Sequence, residues 1–253
     1  MNNRTAVVML TWNRLNTLKN TIDTFRKYNP QFKDEDFIIV DNGSNDGTQK
    51  FLKHTKFDTI LNSQNTGAQW GKFIGWKKAK DRKYDFILFI EDDHPCYRTI
   101  PIKDLENYLD INNDIGIIRL NDKPYLKRHQ ITKLPTERIS REKLNDEFMI
   151  DKWYYHFTSH PSIFRTSLVK YLKNNIIRSY QTENINFDMI NVILNKYKGT
   201  PKHKLAMDRI TKEFGVCEKE YMRLYLLQYN YTGQLNPPCF KWVNIKRMNG
   251  WKN

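Results

Sequence analysis

Tyr84-Asp85-Phe86-Ile87-Leu88-Phe89-Ile90-Glu91-Asp92-Asp93-His94 is the stretch from which the rest of the chain can be read. An apolar segment of strand length, rich in Phe and Ile, ends abruptly in three adjacent carboxylates. A strand without polar alternation is covered on both faces, which is the environment of a parallel α/β sheet. In open α/β sheets ligands collect at the carboxyl ends of the strands, and Glu91, Asp92 and Asp93 fall there. Neighbouring acids repel one another at neutral pH unless a cation or hydrogen-bond donors compensate. A hard divalent ion that brings a substrate phosphate with it meets that need, and a solvated acidic turn is the plain alternative. The residues before the run separate the two.

Upstream, Thr5-Ala6-Val7-Val8-Met9-Leu10 reads as a buried first strand ending at Thr11-Trp12-Asn13-Arg14. Leu15, Leu18, Ile22 and Phe25 recur at helical spacing and predict an amphipathic helix over 15–28, stopped before Pro30. Phe37 to Val40 is a second apolar strand, running into the turn-forming cluster Asp41-Asn42-Gly43-Ser44-Asn45-Asp46-Gly47-Thr48. Ser44 or Asp46 is placed to cap a short helix through Phe51 and Leu52. Phe57 to Leu61 is a third strand, Asn65-Thr66-Gly67 a turn, and a helix from about Ala68 to Lys80 leads into the acidic strand. Strand then helix, repeated before the fourth strand, is the pattern of a parallel nucleotide-binding sheet. No GxGxxG follows the first strand and no Walker loop is present, which argues against dinucleotide and P-loop folds.

Downstream, residues 103–112 read as a helix and Ile115 to Leu120 as a strand. Residues 121–147 are polar, charged and aperiodic, and are expected to form a long excursion. Phe148 to Phe157 is aromatic and strand-like, and His160 to Arg165 leads into a helix at 166–173. Further helices are expected within Glu183–Tyr197, from Thr200-Pro201 and around 217–229. An irregular tail with Pro237-Pro238, Trp242 and Trp251 follows. There is no internal repeat and no linker between independent domains.

At 253 residues the chain is ample for a proper core. It has no 18-residue apolar run, hence no expected membrane span. Met1-Asn2-Asn3-Arg4 passes straight into a strand without the apolar segment of a signal peptide. Cys96, Cys217 and Cys239 lie far apart without zinc-site spacing, so reduced thiols and a cytoplasmic location are expected. The net charge is +14; residues 1–100 carry 16 Lys/Arg against 12 Asp/Glu, and residues 101–253 carry 26 against 16. The basic second half favours an anionic partner, such as nucleic acid, a charged glycan or an acidic membrane surface. The joint richness in Lys, Asn and Ile expected from an AT-rich genome accounts for the excess equally well.

The ordered motifs of residues 5–98 resemble the family-2 glycosyltransferases and their GT-A fold. The resemblance rests on a Thr-x-Asn-Arg turn (Thr11 to Arg14) and an Asp-x-x-Ser-x-Asp-Gly-Thr loop (Asp41, Ser44, Asp46, Gly47, Thr48). It continues in an Asn-x-Gly turn (Asn65, Gly67) with small residues Gly71, Gly75 and Ala79, and in the acidic "DxD" strand end Glu91-Asp92-Asp93. Two departures stand out: Lys72-Phe73 where the family often has Arg-Asn, and Glu rather than Asp opening the acidic triplet.

The resemblance implies an α/β, Rossmann-like, mostly parallel sheet flanked by helices, with a mixed acceptor-side half. Residues 1–100 would be the nucleotide-sugar-binding half and 101–253 the acceptor-binding half of one GT-A domain. It implies a metal-dependent, inverting transferase moving a sugar from a nucleotide-diphosphate sugar to a hydroxyl of a saccharide. Asp41 would read the base; an acceptor-only carboxylate prefers uracil or guanine, so a UDP-sugar is expected. Asp93, with Glu91 or Asp92, would hold Mn²⁺ or Mg²⁺, and Asp92 and Asp93 would divide labour, one toward the metal and one toward the ribose or sugar. His94 would be a further ligand or a spectator. Thr11, Asn13, Arg14, Asn65, Gly67 and Lys72 complete the donor side, and Asp46 is structural. Glu183 is the expected general base, with Asp188 in reserve; favourable charge at a helix N-terminus is the plain alternative for Glu183. Trp153, Tyr155, His156 and His160 are assigned to acceptor binding, though an aromatic stripe is more often core. The oligomeric state is not legible.

Two other readings stand beside this one. A DNA-modifying glycosyltransferase would act on hydroxymethylated bases of viral (phage) DNA in the host cytoplasm. A non-catalytic GT-A-shaped binding module would have no reason to keep Asp41, Asp92, Asp93 and Glu183 together. A nucleotidyltransferase should show a Gly-rich, Arg/Lys-bearing loop after the first strand, and Thr11-Trp12-Asn13-Arg14 is not that.

Overall fold

The structure, a computed structural model, describes residues 3–121, 140–154, 161–169 and 231–241. Its first half follows the periodicity closely: β1 (Thr5–Thr11), α1 (Leu15–Tyr28), β2 (Phe37–Asp41), α2 (Thr48–Lys53), β3 (Asp58–Leu61), α3 (Ala68–Asp81) and β4 (Phe86–Glu91). Next come α4 (Ile102–Ile111), β5 (Ile115–Arg119), β6 (Ser140–Lys143), β7 (Met149–Tyr154), β8 (Ser162–Arg165) and β9 (Tyr231–Asn236). The strands form one nine-stranded sheet in the order β3-β2-β1-β4-β8-β5-β9-β7-β6. It is mixed. Strands β3, β2, β1 and β4 run parallel, β8 is antiparallel to both β4 and β5, β9 is parallel to β5, and β6-β7 is antiparallel.

The central strands are apolar throughout because both faces are covered. On one face Leu18, Ile22 and Phe25 of α1 and Leu105 and Leu109 of α4 join Val7, Met9, Leu88 and Ile90 in one buried cluster. On the other face lies α3, drawn in by small residues. A Cβ on Gly71 would sit 2.6 Å from Leu10 Cδ1, and one on Gly75 would sit 2.7 Å from Val8 Cγ1. Further along, Trp76 meets Phe89 and Phe164 edge-on, each at 5.4 Å between ring centres. Burying an aliphatic or aromatic side chain of this kind contributes about 1.5–3 kcal/mol.

Three expectations are corrected. The supposed excursion over 121–147 contains β6, which charged side-chain pairs tie to β7: Arg141 donates to Asp151 at 2.6 and 2.8 Å, and Lys152 pairs with Glu142 at 3.1 Å. Such pairs stabilise a strand without leaving an apolar period. The lead-in at 160–165 contains a strand, β8, wedged between β4 and β5, and Thr166–Leu168 is a 3-10 turn. The tail contains β9, in which Gly233 fits between Ile118 and Ile150 of the flanking strands. The helices expected over 183–197, from Thr200 and over 217–229 lie outside the described residues.

Beyond β9 the chain returns to β4. Phe240 bridges Cys96 and Asn121, Tyr97 N–H donates to Cys239 carbonyl (3.1 Å), and Lys241 N–H to Pro95 carbonyl (3.2 Å). Cys96 and Cys239 are buried free thiols. Among the described residues no helix is long and apolar enough to cross a membrane.

Candidate active site

The carboxyl ends of β1, β2 and β4 face one cleft, and short polar side chains lock their loops together. Asn13 adopts a left-handed φ of 52°. Its N–H donates to Ser44 Oγ (2.8 Å), and its Oδ1 accepts from Asn45 N–H (2.8 Å). Asp46 caps two helices at once: Oδ2 accepts from Leu15 N–H (2.9 Å), and Oδ1 from Thr48 N–H (3.1 Å) and hydroxyl (2.6 Å). Partial burial would raise its carboxyl, but the bonds from Thr48 and Leu15 outweigh it and hold the group below its ordinary value.

Asp41 is fully buried. Its Oδ2 accepts from Gly43 N–H (3.1 Å), Ser44 N–H (2.9 Å) and Gln49 Nε2 (2.8 Å), whereas Oδ1 has no partner. An orphaned buried carboxylate oxygen is costly, and a ligand N–H would satisfy it. Next to it Gly43, at φ +79°, passes so close to the following loop that a Cβ would stand 2.3 Å from the Gln64 carbonyl carbon. Asn42 shapes that loop. Its Oδ1 accepts from Thr66 N–H (3.0 Å) and hydroxyl (2.8 Å), and its Nδ2 donates to Asn65 Oδ1 (2.8 Å), which also accepts from Gly67 N–H (2.8 Å).

The acid cluster is a turn. Strand β4 stops at Glu91, and His94 N–H donates back to the Glu91 carbonyl (3.2 Å), so the strand-like alternation of side chains ends there. Asp92 turns inward, 2% exposed. It accepts from Thr11 Oγ (2.8 Å) and Arg14 Nη1 (2.9 Å), and its carbonyl accepts from Thr21 Oγ (2.7 Å). Burial, only partly offset by Arg14 and Thr11, pushes its carboxyl up to about 6. Asp93 Oδ2 lies 3.5 Å from Arg14 Nη1. Its Oδ1 lies 2.8 Å from His94 Nδ1, without hydrogen-bond alignment. Lys72 is 3% exposed; its ammonium lies 2.9 Å from Glu91 Oε1 and 5.3 Å from the centre of the Phe89 ring.

Glu91, Asp93 and His94 each offer a ligand atom, and these atoms lie within 4.8 Å of one another. That spread fits one small divalent ion, and Asp93 Oδ1, which accepts no hydrogen bond, is an available ligand atom. Two carboxylates with an imidazole suit Mn²⁺ better than Mg²⁺, which favours oxygen and retained water.

The cleft is open and holds about 290 Å³. Thr11, Arg14, Asn65 and the Glu91–Asp93 turn line it together, and Asp41, paired in register with Thr11, is buried rather than on its wall. Asn13 and Gly67 act through loop geometry, and Lys72 lies buried beneath the acid turn. Only the backbone of Trp153 is described, within β7; Tyr155, His156, His160, Glu183 and Asp188 lie outside the described residues. One lining residue the sequence reading passed over is Trp12, an indole 45% exposed on the cleft wall. Its signal was present: a large aromatic in an otherwise polar turn at a strand's carboxyl end.

The family model described as glycosyl transferase family 2 matches residues 6–172. Among solved structures, Staphylococcus aureus TarS is similar with a TM-score of 0.51 at 15% identity, over 96% of this chain and 37% of that one. TarS 1–349 in complex with UDP-GlcNAc gives 0.50 at 15% identity, over 95% of this chain and 58% of that one. This chain therefore spans well under two thirds of either TarS chain, and at such identity the likeness is one of fold. No curated protein sequence matches the chain.

Proposed function

Because this chain belongs to glycosyl transferase family 2 and has the GT-A fold, we propose that it moves a sugar from a UDP-sugar to a hydroxyl of a saccharide acceptor, with Mn²⁺ and with inversion at the anomeric carbon. Residues 1–100 form the donor half and 101–253 the acceptor half of one domain. The observation that carries the reading is the pairing, along one edge of the sheet, of Asp41's orphaned oxygen with the ligand trio Glu91, Asp93 and His94. A nucleoside diphosphate sugar with its metal would supply both the N–H for Asp41 Oδ1 and the cation for the trio.

Asp41 Oδ1 accepts the ring N–H of uracil, which cytosine lacks. The TarS complex with UDP-GlcNAc agrees with that choice of base. Trp12 offers its face for stacking on the base or sugar. Arg14, shared between Asp92 and Asp93, presents its guanidinium to the diphosphate, and Asp92 keeps that arm and Thr11 in place. Glu91, Asp93 and His94 would hold Mn²⁺, which supplies neutralisation of the charge developing on the departing diphosphate. Glu183, with Asp188 in reserve, takes the proton of the acceptor hydroxyl as its oxygen bonds to the anomeric carbon from the face opposite the breaking bond to UDP. Trp153, Tyr155, His156 and His160 belong to the acceptor side.

The test is a panel of UDP-, GDP-, ADP- and CDP-sugars scored by thermal shift with Mn²⁺ or with chelator. UDP-sugars should stabilise the chain in Mn²⁺ and lose the effect in chelator; no shift with any UDP-sugar would overturn the proposal. Asp93→Ala should abolish the shift, whereas Glu183→Ala should keep it and lose transfer. Equal loss in both variants contradicts the separate roles.

The charge excess of residues 101–253 favours a second reading, in which the acceptor is a hydroxymethylated base in viral DNA. That enzyme would bind duplex DNA with steep salt dependence, and negligible retention of duplex on a filter at low salt removes it.

A further inference from the structure

Among the described residues, Glu91 has two neighbours beside the acid turn. One oxygen faces the Lys72 ammonium at 2.9 Å, and the other lies 3.9 Å from His94 Nδ1. A buried ammonium is tolerated only when paired, and Lys72 has Glu91 and the Phe89 ring face beside it. The helix register makes this unavoidable: Gly71 brings the backbone of α3 against Leu10, so the next side chain enters beneath the end of β4. Lys72 therefore does not stand in the open cleft as a phosphate ligand would.

We propose that Lys72 is a positioning residue that keeps the acid turn nearly neutral, so that the divalent cation binds weakly until the nucleotide diphosphate arrives with it. This rests on the metal-dependent reading above. Among the described residues, the carboxylates Glu91, Asp92 and Asp93 face the fixed cations Arg14 and Lys72, leaving one net negative charge. A dication entering alone meets that single charge and the nearby ammonium. Entering with a diphosphate, it meets several more negative charges and is held. Metal and donor thus bind synergistically, and the empty protein does not sequester the ion.

The experiment is a Mn²⁺ titration followed by the electron paramagnetic signal of the free ion, with and without UDP. The unaltered protein should bind Mn²⁺ at least about tenfold more tightly when UDP is present. Lys72→Met, which keeps the length and apolar stem, should bind Mn²⁺ alone about tenfold or more tightly than the unaltered protein. A merely structural lysine would not produce that gain. Should Lys72→Met fail to fold, Lys72→Gln removes the same charge and should show the same gain. Unchanged or weaker Mn²⁺ binding in the folded variant overturns the lysine's role, as does tight Mn²⁺ binding by the unaltered protein without UDP. No Mn²⁺ binding in either condition overturns this proposal and the metal-dependent reading together.

Discussion

Replacing Asp41 by Asn exchanges one atom and tests one bond. The amide oxygen can keep the donors Gly43, Ser44 and Gln49, leaving the NH₂ where the orphaned oxygen was. Asp41→Asn should therefore fold with little change in melting temperature. UDP affinity should fall about 10- to 100-fold, as expected for losing a hydrogen bond to a charged group. Preference should shift toward CDP, whose ring nitrogen accepts; calorimetric titration with both nucleotides checks this, and an unchanged UDP/CDP ratio would sink the base-reading role. Asp46 makes the contrasting case of a side chain that serves the fold. Asp46→Ala removes caps from α1 and α2 and should cost about 1–2 kcal/mol, near the lower figure because the carboxyl is exposed. Its folded pKa is depressed, so its contribution is fully present above the ordinary 3.8 and lost as pH falls through the folded value. The variant should accordingly show a shallower acid limb in a stability–pH series, and parallel limbs would contradict the assignment. The places of the acid cluster and Asp41 at strand ends, and the structural use of Asp46, were legible from residue type and position. The Lys72–Glu91 pair was not, because it depends on how far α3 sinks onto the sheet.

That depth is a property of the helix. Gly71 and Gly75 face β1, but a methyl on Gly71 meets the far end of Leu10, whereas one on Gly75 meets Val8 Cγ1 at 2.7 Å and Val40 Cγ2 at 2.9 Å. β-Branched neighbours on central strands cannot rotate away. Gly75→Ala should lose about 1–3 kcal/mol to overpacking despite the better helix propensity of Ala. Gly71→Ala should be the milder of the two, and urea unfolding of both variants settles the order. The helices and strands around α3 were legible because each buries one stripe or two whole faces, which leaves a period in the sequence. Strands β6, β8 and β9 escaped for a physical reason. Strand β8 is four residues long, β6 is bound by charged pairs, and β9 carries a glycine where two isoleucines press in. None leaves a pattern that a single sequence can display.

For the molecule as a whole, the insertion of β8 between β4 and β5 makes the two halves one sheet. Phe86 to Phe89 of β4 pair with Ser162 to Arg165, so a fragment of residues 1–100 would carry β4 as an open, wholly apolar edge. That fragment should aggregate or remain protease-sensitive, while the complete chain resists limited proteolysis in the donor half. A soluble, cooperatively melting 1–100 fragment would show that the halves are separate folding units. The parallel order of the first half was readable from the alternation of strand and helix. That the second half is mixed followed from the family resemblance, but its strand order was not readable, because it depends on pairings between distant segments, such as Ile118 with Gly233.

Those distant pairings also govern when the folded chain can come into being during synthesis. The segment 239–241 rests against Pro95–Tyr97, directly behind the acid turn, and β9 fills the slot between β5 and β7. A polypeptide still leaving the ribosome has made its donor loops long before it has made β9 and the segment 239–241 that rests on Pro95–Tyr97. Catalytic competence should consequently appear late and abruptly in translation, and a truncated product from a stalled message would be inert toward nucleotide sugars.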